Sequence, residues 1–100
     1  MRLTDQQIEQ IKAIGQAIYG QEVKIFLFGS RTIDEKRGGD IDLFIETDDD
    51  HLTTIENKIN CLVRLKLALG DQKIDLVYPK NIEGQPSFRD SILNNRIQLC

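Results

Sequence analysis

The sequence predicts an α+β domain in which a small mixed β-sheet carries helices packed on one side. Apolar residues recur at helical spacing near the N-terminus and again in the middle of the chain. Runs at 23–28, 40–46 and 73–78 are short and rich in β-branched, leucine and aromatic residues, as strands are. The elements follow one another as helix, strand, loop, strand, helix, strand, helix, an order that layers helices on a sheet.

The first helix is expected over 4–19. Ile8, Ile11, Ile14 and Ile18 fall on one face, and Thr4 with Gln7 has capping-box spacing. The strand VKIFLF stops at Gly29, and 29–39 is a turn-rich loop with room for one helical turn at its start. The next strand, DIDLFIE, alternates. Asp40, Asp42 and Phe44 leave one face, Ile41, Leu43 and Ile45 the other. Asp48, Asp49 and Asp50 suit the N-terminus of a second helix because carboxylates complement the helix dipole. Leu52, Ile55, Ile59, Leu62 and Leu69 trace its expected apolar face, and Gly70 ends it. The third strand, KIDLVY, is closed by Pro79, and Pro86 and Ser87 open a last helix carrying Phe88, Ile92 and Leu93.

A chain of 100 residues is expected to form one domain over 1–100, with one modest core. Hydrophobic residues make up 40% and charged residues 29%, which excludes a disordered or low-complexity chain. Thirteen Lys and Arg against sixteen Asp and Glu leave a net charge of -3, so no direct nucleic-acid binding is expected. No apolar run approaches the roughly 20 residues needed to span a bilayer. The N-terminus lacks the apolar stretch of a signal peptide, and the expected location is cytoplasmic. The cysteines, Cys61 and Cys100, read as a small, partly buried side chain and a free thiol. His51 reads as an exposed first-turn residue, and Tyr19 and Tyr78 as packing residues with wet hydroxyls.

The chemistry concentrates in FLFGSRTIDEKRGGDIDLFIE. Asp40 and Asp42, two apart on a strand, leave the same face roughly 6–7 Å apart along the backbone. They repel unless water or a cation lies between them. Asp75 interrupts an apolar strand, and burying a lone carboxylate is costly, so it points to a site or to solvent. Three converging aspartates would form a hard oxygen cage suited to Mg²⁺. Gly29 allows a ligand to approach the backbone closely, and its amide with the Ser30 hydroxyl can hold phosphate oxygens; the lesser alternative for Ser30 is a simple turn or cap residue. Arg31 is either a triphosphate-binding cation or a surface charge.

Gly29-Ser30, nine residues, Asp40-Ile41-Asp42 and a later Asp75 together resemble the nucleotidyltransferase superfamily of DNA polymerase β type, and most of all its minimal nucleotidyltransferases. The spacing from Gly-Ser to the aspartates is one residue shorter than the usual minimal form, and loop 32–39 lacks the usual small-basic-glycine start. The resemblance implies a polymerase β palm-like fold, ATP as nucleotide donor and Mg²⁺ as cofactor. It implies that Gly29 and Ser30 bind the β- and γ-phosphates and that Asp40 and Asp42 coordinate both metal ions. Asp75 would complete the nucleophile-side site and help deprotonate the acceptor. The resemblance further implies a HEPN-family toxin partner, adenylylated on a tyrosine, with this protein as the antitoxin. Two alternatives stand beside it: an antitoxin that neutralises its partner by occlusion, and nucleotidyl transfer to a small molecule, which the absence of an acceptor domain disfavours.

Overall fold

The computed structural model describes residues 3–29, 41–70 and 72–100. Helix α1 (Asp5–Tyr19) starts at the expected capping box. The Gln7 amide donates to Thr4 Oγ1 at 3.1 Å, and the Thr4 amide to Gln7 Oε1 at 2.9 Å. Strand β1 (Lys24–Phe28) pairs antiparallel with β2 (Ile41–Glu46), and β2 pairs parallel with β3 (Ile74–Val77). Strand β4 (Ile97–Gln98) adds antiparallel to the other side of β1, giving a four-stranded mixed sheet in the order β3-β2-β1-β4. Strand β4 leaves no signal in the sequence, because two paired residues are too few to make a pattern.

Alternation along the strands gives the sheet two apolar faces. Ile25, Leu27, Ile41, Leu43, Ile45, Ile74 and Leu76 form one core with Ile11 and Tyr19 of α1 and Cys61, Leu65 and Leu69 of α2 (Ile55–Leu69). The close approach of α1 depends on Gly15, where a Cβ would run into the Ile25 side chain. The opposite face carries Phe26, Phe28 and Phe44, which pack with Ile82 and with Ile92 of α3 (Pro86–Asn95). The α+β class with a mixed sheet therefore holds, but helices do not all lie on one side. Three aromatic side chains on the second face require an apolar cover, and α3 supplies it. Arg96, just beyond α3, lies over the Phe26 ring at 3.8 Å and pairs with Glu46 at 3.0 Å.

The second helix also differs from its expected form. Asp50–Leu52 is a separate 3₁₀ turn whose cap is Asp49, and α2 begins after Thr54, whose hydroxyl accepts from the Asn57 amide. Ile55 and Ile59, expected in the core, are 76% and 57% exposed. Two apolar rows run along α2 at four-residue spacing, 55-59-63-67 and 61-65-69; the sheet covers only the second.

Tyr19 and Tyr78 are buried, and their hydroxyls are not wet. Tyr78 donates to the Thr54 carbonyl at 2.9 Å, and the two hydroxyls lie 2.7 Å apart. Burial raises the Cys61 thiol from its ordinary 9.0 to about 11, against the opposing charge of Arg64. Burial also pushes both tyrosines up. Each folded group keeps its proton where the unfolded chain has lost it. For Cys61 the stabilising contribution is therefore full below pH 9 and lost as pH rises towards 11, while for the tyrosines the loss begins only above their ordinary 10.0. Urea-unfolding midpoints are expected to fall across that interval; a flat profile would contradict this reading of the buried cluster.

Candidate active site

The site is built on the second face of the sheet. Pairing places Phe28 opposite Asp42 and Asp42 opposite Asp75, so three neighbouring strands present one transverse row, Phe28–Asp42–Asp75. The residues flanking each aspartate, Ile41, Leu43, Ile74 and Leu76, point into the first core, so strand alternation sends both carboxylates to the α3 side. Adjacent strands lie about 4.8 Å apart, which brings the two carboxylates close enough to repel. Asp42 is half-buried and Asp75 exposed.

Gly29 ends β1 beside this row. Its φ is +78°, and a Cβ there would overlap the Asp42 carboxylate. Glycine is thus required twice, by the backbone angle and by the close passage of the chain over Asp42. A cavity of about 760 Å³ opens over Gly29, Asp42 and Asp75, within the size of small-ligand sites. Phe88, Ser91 and Asn95 of α3 wall one side of it, and Lys58 and Leu62 of α2 reach it around the β3 edge.

Of the predicted site residues, the structure brings Gly29, Asp42 and Asp75 together. Ser30, Arg31 and Asp40 lie outside the described residues. Among the described residues, no three of His, Cys, Asp and Glu form a ligand cluster. The two carboxylates that are described fit a divalent cation: both are hard oxygen donors, side by side, facing a cavity.

Lys58, Phe88, Ser91 and Asn95 were missed as site residues. One signal for the α3 group was present in the sequence. Phe44 shares a strand face with Asp42, so whatever covers Phe44 must pass near the aspartates. Nothing in the local sequence around Lys58 marks it.

A model of the nucleotidyltransferase domain matches residues 8–99, from within α1 to just past β4. No curated protein matches the sequence. Among the described residues, no helix is long and apolar enough to cross a membrane.

Proposed function

This chain belongs to the nucleotidyltransferase-domain family, and from that premise we propose that it transfers AMP from ATP to a hydroxyl with the help of Mg²⁺. The observation that carries the proposal is the juxtaposition of Gly29, Asp42 and Asp75 at one cavity. Asp42 and Asp75, with Asp40 from the sequence, would hold the metal. Bound there, Mg²⁺ supplies charge neutralisation to the phosphate oxygens.

The chain's own groups do the positioning. The backbone at Gly29, with Ser30 next in sequence, receives the β- and γ-phosphates, and Gly29 adds no side chain of its own to their approach. Asp75, on the exposed edge strand, faces the side from which an acceptor can enter. Its carboxylate is the group that takes the acceptor proton as the hydroxyl oxygen bonds to the α-phosphorus and pyrophosphate leaves.

We assign the acceptor hydroxyl to a tyrosine of a HEPN-type toxin, which makes this protein an adenylylating antitoxin of the cytoplasm. Two observations support a protein acceptor. Asp75 is exposed on the edge strand β3, and α2 carries an uncovered apolar row of Ile55, Ile59, Val63 and Leu67. That row is continuous with the cleft wall, since Lys58 and Leu62 of the same helix line the cavity. A protein bringing a hydroxyl to Asp75 around the β3 edge would lie over it.

Mixing the protein with the product of the neighbouring gene, ATP and Mg²⁺ is expected to add AMP units to the neighbour, seen as intact-mass shifts. Leu67→Glu, far from the cleft, is expected to weaken the association at least tenfold, because it places a charge in the contact. Tight association and suppressed toxicity without any mass shift would favour occlusion. No association at all would remove the antitoxin reading and leave the transferase.

A further inference from the structure

The cleft has a wall that phosphate chemistry does not use. Phe88, Ser91 and Asn95 lie at helical spacing along one flank of α3, and all border the cavity that holds Asp42 and Asp75. Phe88 is 41% exposed, whereas Ile92 on the same helix is 1% exposed and fills the core. The Phe88 ring is not loose. It meets Phe28 edge-on, with centroids 6.2 Å apart and planes at 66°. Phe28 is in turn the cross-strand neighbour of Asp42. An aromatic surface is thus held one side chain away from the carboxylate row, with much of its area facing the cavity.

An anionic triphosphate gains nothing from the negative face of a phenyl ring. A planar, weakly polar ring does, because stacking removes apolar area from water on both partners. Beyond Phe88 the same flank becomes polar. Asn95 Nδ2 donates to the Ser91 carbonyl at 3.1 Å, which lays its side chain back along α3 towards Ser91. Its amide still offers an acceptor oxygen and a second N–H, and Ser91 offers a hydroxyl. An aromatic platform followed by paired donors and acceptors matches a nucleobase, whose face stacks and whose edge hydrogen-bonds.

We propose that Phe88 is the platform on which the nucleobase of the donor nucleotide stacks, with Ser91 and Asn95 reading its polar edge. This rests on the nucleotidyltransferase reading of the cleft, and it assigns the nucleoside half of the substrate to α3.

The test compares two ligands, ATP and inorganic tripolyphosphate, titrated calorimetrically with Mg²⁺ into the full chain. Phe88→Ala is expected to weaken ATP about tenfold while leaving tripolyphosphate unchanged. Phe88→Trp is expected to retain wild-type ATP affinity or exceed it. Phe88→Leu, which keeps apolar packing against Phe28, is expected to lose ATP affinity as alanine does and serves where alanine does not fold. Equal ATP affinity across wild type and the folded variants would overturn the platform, and so would equal losses for ATP and tripolyphosphate. Failure of the wild type to bind either ligand would instead remove the nucleotide site itself.

Discussion

Asp42→Asn is expected to reduce nucleotide transfer at least about a hundredfold while leaving the fold intact. The side chain sits at the centre of the transverse row, with Asp75 on one side, Phe28 on the other and Gly29 over it. Asparagine has nearly the same shape, so the passage of the chain at Gly29 is preserved. What disappears is one negative charge among groups that a cation must bridge. Loss of that charge removes the driving force for metal binding and also relieves repulsion within the row. The apo variant is therefore expected to melt at the same temperature as the wild type or higher, an opposite sign from its effect on activity. Thermal melting with and without Mg²⁺, alongside AMP transfer, checks both parts. A folded variant with near wild-type transfer would show that Asp42 holds no essential metal.

Gly29→Val is expected to be the most damaging single change at the phosphate end of the cleft. A φ of +78° costs an ordinary L-residue about 1–2 kcal/mol, and a β-branched one more. The added Cβ also overlaps the Asp42 carboxylate, so the aspartate must leave its position or the turn must open. Either movement separates the backbone that receives phosphate from the carboxylate that receives metal. The expected result is a lower urea midpoint together with at least a tenfold loss of ATP affinity. Gly29→Ala should fall between valine and wild type, since it carries the Cβ clash without branching. Wild-type stability and ATP binding in Gly29→Val would place the phosphates elsewhere.

Much of this site is legible in the sequence because strand alternation is a strict rule. Once Ile41 and Leu43 are placed in a core, Asp42 must leave by the other face; Ile74 and Leu76 do the same for Asp75. The Thr4 capping box is equally local and equally legible. What local pattern cannot decide is which surface a third body covers. Helix α2 has two apolar rows, and only packing against the sheet selects the row of Cys61, Leu65 and Leu69. The side on which α3 returns depends on the non-local demand of Phe26, Phe28 and Phe44 for a cover. The same non-locality hid Phe88, Ser91, Asn95 and Lys58, whose role comes from what they face across the cleft. The buried pairing of the Tyr19 and Tyr78 hydroxyls joins residues 59 apart in sequence, beyond the reach of any periodicity.

The most direct measurement is a crystal structure of the protein with Mn²⁺ and a non-hydrolysable ATP analogue, with the metal located by its anomalous scattering. The expected result is a metal peak within ligation distance of both the Asp42 and Asp75 carboxylates, with the triphosphate passing over Gly29. A metal and nucleotide bound away from the Phe28–Asp42–Asp75 row, or nucleotide bound with no metal near those carboxylates, would contradict it.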